Sequence, residues 1–337
     1  MRNAQPHGDP MTNDITPFPP EQERFLRILH PYALEQHSRA VSHRTRFVHY
    51  TSADTAMSIL RSKELWMRKS SCMNDFLEVQ YGRNRLYTAY GKSNAGAKFK
   101  STLNRLFDGI TTDIEKLFDS WTPHFQTNTY LACLSEHDDR EDTFGRLSMW
   151  RAYSETAGVA LVLNNTAFLT PTPPNGGLRA DTSPVAYLDD GQFENEVERI
   201  TKNIAADADL FKTQGREVVT NRIFNLFRFA VLCTKHPGFA EEREWRVIYS
   251  PTLQQSPFLT RDIQVVKGVP QPIYKIPLID IPEIGLTTAI PALLNRIIIG
   301  PTQYPLALHE AFIDLLTEAG VEDPAAKVCV SDIPLRR

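Results

Sequence analysis

The densest group of ionisable side chains in this chain is Glu241-Glu242-Arg243-Glu244-Trp245-Arg246, which runs straight into the apolar stretch Val247-Ile248-Tyr249. Charge at the mouth of an apolar strand is costly, because ionised groups lose their hydration on burial. On a strand, alternation puts Glu242, Glu244 and Arg246 on one face and Arg243, Trp245 and Val247 on the other. Neighbouring carboxylates raise each other's proton affinity and an adjacent arginine lowers it, which is how an acid/base or cation-stabilising group is tuned. The same pattern also describes an edge strand whose outer face carries an ion-pair ladder. Both readings stand on the residues alone.

Three smaller groups carry further chemistry. His49 ends the first predicted strand beside Tyr50 and Thr51, and reads either as a packed, hydrogen-bonded histidine or as a ligand group. Asn74, Asp75 and Glu78 gather at a helix start, where an Asn or Asp reads most simply as an N-cap. Met149-Trp150-Arg151-Ala152-Tyr153 precedes an apolar strand and supplies core aromatics or a stacking wall, with Trp150 assigned to the core.

Several familiar sites are excluded by spacing. Gly91-Lys92-Ser93 resembles the end of a phosphate-binding loop, but Leu86 stands where the upstream glycine is required. No G-x-G-x-x-G is present. Cys233 with His236, and Cys133 with His137, are each spaced like half of a zinc site without a second half, so no metal is expected. No G-x-S-x-G elbow offers a nucleophilic serine.

The elements that must position these groups follow from periodicity. Phe25, Leu26, Ile28 and Leu29 make a short helical face that Pro31 ends or bends. Residues 46–50 read as a strand, followed by Ser52 as N-cap of a helix bearing Ala56, Ile59 and Leu60. Leu65-Trp66 reads as a second short strand, and Phe76, Leu77, Tyr81 and Leu86 share a helix. The repeat from Phe99 to Phe118 predicts one long helix. Residues 130–134 and 158–163 read as central strands, 170–177 as a Pro-rich loop, and 193–211 and 218–232 as helices. Strands are predicted at 244–249, 274–278, 296–299 and 327–330, with a helix over 306–319. Helices and strands mixed without strict alternation predict an α+β fold over a doubly wound one.

The 337 residues, 42% hydrophobic, can bury a sizeable core, and length alone suggests roughly two units or one elaborated α+β domain. The organisation expected is a disordered tail over 1–20, a helical segment over 21–45, and a single mixed-sheet domain over 46–337 with helical insertions near 96–120 and 192–234. A net charge of -3 weakens any reading built on a basic nucleic-acid footprint. The four cysteines are scattered, and no apolar run approaches a membrane span or a secretory signal, so a cytoplasmic protein with free thiols is expected.

Taken in order, several segments resemble the bacterial domain-of-unknown-function family twenty-nine seventy-one. These are F-V-H-Y-T-S at 47–52, L-W-M at 65–67, M-N-D-F-L-E at 73–78, C-L-S-E at 133–136, M-W-R-A-Y at 149–153, K-H-P-G-F-A-E-E-R-E-W-R at 235–246, and I-I-I-G-P at 297–301. More distantly, the His-Tyr-Thr strand and the late Glu-Trp-Arg-Val-Ile-Tyr strand are similar to the ADP-ribosyltransferase superfamily.

That second resemblance implies an ADP-ribosyltransferase-like core that binds NAD as substrate and cleaves its nicotinamide–ribose bond. Within it, Glu244 stabilises the cationic transition state and Glu242 completes an E-x-E pair. His49, with Tyr50 and Thr51, fixes the ribose; Tyr81, Trp66 or Tyr153 stacks on nicotinamide, with Arg151 alongside. The acceptor is a protein, nucleic acid or small molecule, and the implied role is that of a toxin or phage-defence effector. Two other classes remain open: a nucleotide- or partner-sensing module without turnover, and a metal-independent hydrolase using Glu242, Glu244 and Lys235.

Overall fold

Short apolar runs bounded by turn residues become strands here, and amphipathic repeats become helices packed on both faces of one sheet. The computed structural model describes residues 15–72, 76–153, 157–171 and 177–334. The predicted helix start at 73–75, most of the 170–177 loop and residues 1–14 of the predicted tail lie outside those residues.

The chain opens with α1 (Pro20–Leu29) and α2 (Pro31–Ser42), with Pro31 in the first turn of α2, where a missing N–H costs nothing. Next come β1 (Arg46–Ser52), α3 (Ala53–Ser62) and β2 (Glu64–Lys69). Ser52 caps α3 by accepting a hydrogen bond from the Thr55 N–H at 3.3 Å. Three helices follow: α4 (Phe76–Lys92), α5 (Asn94–Leu106) and α6 (Ile110–Thr127). The single long helix predicted over 99–118 is therefore two, because Phe107 is extended and Gly109 takes a left-handed φ of 70°.

The middle of the chain supplies β3 (Tyr130–His137), α7 (Leu147–Tyr153), β4 (Gly158–Leu163), α8 (Thr166–Leu169), β5 (Asp181–Pro184) and β6 (Ala186–Tyr187). Three more helices, α9 (Asp190–Ala206), α10 (Ala208–Gln214) and α11 (Arg216–Leu232), lead to β7 (Thr234–Lys235) and β8 (Glu244–Tyr249). The helix predicted over 193–211 is likewise broken, at Asp207. The hairpin β9 (Thr260–Val266) and β10 (Val269–Pro277), then α12 (Ile290–Leu293), β11 (Leu294–Ile299), α13 (Pro305–Glu318), α14 (Pro324–Lys327) and β12 (Val328–Val330) complete the order.

Ten strands form one mostly antiparallel sheet, in the order β12-β11-β4-β1-β3-β2-β10-β9, with β8 on β3 and β5 on β8. The fold is thus mixed α+β. Strand β3 is the branch point. Ser135 pairs with both Val48 and Glu244, and Tyr130 pairs with both Lys69 and Tyr249, so β1 and β2 share one edge of β3 while β8 occupies the other. Between those pairings, residues 132–134 face a gap between β1 and β2.

Alternation divides the core. One face, called here the first, carries Phe47, Leu134, Leu161, Trp245 and Val247, and is covered by Ala56, Ile59 and Leu60 of α3 and Phe312, Leu315 and Leu316 of α13. The second face carries Leu131 and Ile248 beneath the helices α4, α5, α6, α9 and α11. Farther along that face, Val48, Tyr50, Ala160, Val162 and Ile298 pack on Met149 and Trp150 of α7. Trp150 lies in the core as expected, and Gly300 lies against it: a Cβ at position 300 would come within 2.8 Å of the indole. Among the described residues, no helix is long and apolar enough to cross a membrane.

Candidate functional site

The ionisable cluster of β8 is buried, not spread along an exposed edge. All six β8 residues are buried between β3 and β5, which overturns the edge-strand reading. Glu244 and Arg246 share the second face with Ile248, while Trp245 and Val247 turn to the first, as alternation predicts. Glu242 precedes the strand, in a turn over 237–242 closed by Arg243 at a left-handed φ of 46°. It reaches the same group through that turn instead of through strand register.

Lys235 of β7 is the hub. Its Nζ lies 2.6 Å from Glu78 Oε1, 2.6 Å from Glu242 Oε2 and 2.9 Å from Glu244 Oε2. Arg246 completes the cluster: Nε donates to Glu244 Oε1 at 2.7 Å and Nη2 to Glu78. Side-chain exposure is 2% for Lys235, 0% for Arg246, 5% for Glu244 and 24% for Glu242, so Glu242 is the member closest to solvent. Burial alone would raise the Glu244 carboxyl, but the Arg246 and Lys235 charges beside it win and it titrates at about 2. Burial opposes the Lys235 charge too, and the Glu244 and Glu78 carboxylates more than offset it, holding the amine protonated.

Surrounding elements hold this group in place. Glu78 lies on α4 one turn before Gly82, and Gly82 lets α4 approach α11 so closely that a Cβ there would sit 2.3 Å from the Val231 carbonyl oxygen. The Glu244 N–H donates to the Tyr187 hydroxyl at 2.8 Å. Buried Arg146 fixes the turn that carries Glu242, donating from Nη1 to the carbonyls of Glu241 at 2.9 Å and Glu242 at 3.2 Å, and from Nη2 to that of Glu136 at 2.8 Å. Its guanidinium also donates to Glu141, from Nε at 3.1 Å, and Glu141 pairs in turn with Arg243.

The mouth of the cluster is aromatic. Phe239 is exposed, and its ring lies 5.2 Å from Lys235 Nζ. Tyr81 packs edge-on against His236 at 5.6 Å, donates to the Leu188 carbonyl at 2.7 Å and carries the Arg85 guanidinium 4.7 Å over its ring. Tyr81 is thus a stacking candidate that stands beside the hub.

The other predicted site residues lie elsewhere. His49 belongs to the first face, where it lines a cavity with Trp245 and Val247, and its Nδ1 donates to the Cys133 carbonyl at 3.1 Å in the gap between β1 and β2. Strand β3 therefore stands between His49 and Glu244, on opposite faces. Tyr50 is buried on the second face, its hydroxyl accepting from the Arg146 N–H at 2.9 Å and its ring packed on Trp150 at 4.8 Å. Thr51 pairs with Val159 in β4. Trp66, on β2, pairs with Lys275 of β10, while Arg151 and Tyr153 are exposed on α7.

Two members of the site are placed there by the fold alone. Glu78, grouped in sequence with Asn74 and Asp75 at a helix start, bridges Lys235 and Arg246 through its carboxylate, the latter across 168 residues. Arg146 carried no signal beyond being an arginine between two predicted elements. Among the described residues, no group of three or more His, Cys, Asp or Glu side chains could hold a metal ion.

Fold and site together define a mixed α+β protein with a buried lysine–glutamate–arginine cluster on one face of a branched sheet. A family model described as protein of unknown function, DUF2971, matches residues 149–247. That stretch contains Lys235, Glu242, Glu244 and Arg246, and supports the family resemblance drawn from the sequence. The chain matches no curated protein and no solved structure.

Proposed function

We propose that the chain binds a nucleotide, NAD being the substrate its ADP-ribosyltransferase resemblance implies, at the Glu242 end of β8 and cleaves the nicotinamide–ribose bond there. The observation that carries this reading is the half-open carboxylate of Glu242 on a buried, charge-matched cluster beneath Tyr81, His236 and Phe239. As the bond breaks, its electron pair leaves with nicotinamide and positive charge builds on the sugar. A fixed carboxylate beside that carbon stabilises the transition state more than the ground state. The incoming acceptor, a protein or nucleic-acid nucleophile or water, adds at the same carbon and passes its proton to Glu242. Glu244, with Lys235 and Arg246 on its oxygens, is a positioning residue in this scheme. Lys235 serves only as a cation, because the surrounding carboxylates keep it protonated.

Release of nicotinamide from NAD by the purified chain tests the proposal. Glu242→Gln should slow release about 100- to 1,000-fold, the usual cost of losing one aligned electrostatic group. Glu244→Gln should fall with it, whereas His49→Ala, on the opposite face, should stay within about tenfold of the parent. Equal release from the parent and Glu242→Gln would sink the reading. A sensing module without turnover is favoured by one observation, that both cations of the cluster already lie against its glutamates. Saturable NAD binding by calorimetry, with no nicotinamide released, selects it.

A further inference from the structure

The first face of the sheet holds a cavity of about 560 Å³, floored by Leu161 and Leu163 of β4 and Trp245 and Val247 of β8, and walled by Leu60 and Phe168. Its volume falls within the roughly 300–1,000 Å³ of small-molecule sites. The lining is aliphatic and aromatic, and Asp181 is the one charged side chain among the described residues that line it. Arg228 already pairs with that carboxylate. A phosphate, carboxylate or ammonium ligand would lose its hydration on entry without gaining a compensating charge.

The polar groups that do reach the cavity are chiefly hydroxyls and imidazoles. His49 Nδ1 is committed as a donor to the Cys133 carbonyl at 3.1 Å, so the Nε2 of the neutral ring is an acceptor. His37 is fixed likewise, through Nε2 to the Leu169 carbonyl at 2.8 Å. Burial lowers the proton affinity of His30, His37 and His49, which keeps all three rings uncharged at neutral pH. We propose that this cavity binds an uncharged, largely apolar small molecule that donates one hydrogen bond, from a hydroxyl or N–H, to Nε2 of His49. The site is separate from the Glu242 cluster and does not depend on the NAD reading.

Displacement of the uncharged dye Nile red from the full chain, by 1-decanol, decyl methyl ether and decanoate, tests the proposal. The alcohol should displace the dye saturably and at least about tenfold more tightly than either competitor, because only it is both neutral and a donor. His49→Phe should bring the alcohol down to the level of the ether while the dye still binds. Ala167→Trp, which fills the cavity from α8, should weaken all binding, with circular dichroism confirming the fold. Equal binding of the three probes by the parent chain overturns the proposal, as does alcohol binding unchanged in both variants.

Discussion

Glu244 links protonation to folding at a single residue. Its carboxyl titrates at about 2 in the folded chain against an ordinary 4.5, so its contribution is fully present above pH 4.5 and is lost as the pH falls toward 2. A depression of that size corresponds to about 3 kcal/mol. Glu244→Gln should therefore flatten the fall in urea-unfolding free energy between pH 4.5 and 2, and should cost about 3–5 kcal/mol at neutral pH by leaving Lys235 and Arg246 short of a carboxylate. A pH profile that keeps the parent's slope below 4.5 would show that Glu244 is not the titrating group. Much of this residue-scale chemistry was legible, because alternation alone separates Glu244 and Arg246 from Trp245. Glu78 was not legible: its partners are distant in sequence, and a glutamate near a helix start satisfies a local explanation first.

Helices α4 and α11 form the wall against which the cluster is built, and their separation is set by one missing side chain. A Cβ at Gly82 would sit 2.3 Å from the Val231 carbonyl, whereas at Gly91, in the same helix, it would meet nothing within 4 Å. Gly82→Ala should destabilise the chain by about 1–3 kcal/mol, pushing α4 off α11 and drawing Glu78 away from Arg246. Gly91→Ala should instead stabilise it, by up to about 1 kcal/mol, through helix propensity. Thermal melts of the two variants decide the matter, and equal shifts would show that helix propensity, not helix approach, governs Gly82. The apolar repeat announced these helical faces but not the break between α5 and α6. Periodicity reports which side of a helix is buried, and Phe107 and Leu106 keep the pattern across the Gly109 turn while the backbone leaves it.

The sheet as a whole separates two chemistries that the sequence placed in one site. His49 and Glu244 are each near β3, yet register sends one to the aliphatic first face and the other to the charged second face, because Glu244 and Val48 both pair with Ser135 and alternation turns His49 the other way. That division gives the molecule two acid-sensitive windows. His30, packed against Phe229 at 5.5 Å on the first-face cavity, is lowered by burial to about 4 from an ordinary 6.5, despite the opposing pull of Asp181. Because its folded value is the lower one, the unfolded chain takes up the proton first, and stability present above pH 6.5 is lost as the pH falls toward 4. The loss is at most about 3 kcal/mol and precedes the Glu244 window. Urea unfolding followed from pH 8 to 4 should show this decline, and His30→Phe, which keeps an aromatic contact with Phe229, should remove most of it. An unchanged decline in that variant would place the proton elsewhere on the molecule, with His37 and His49, also lowered by burial, the next rings to replace.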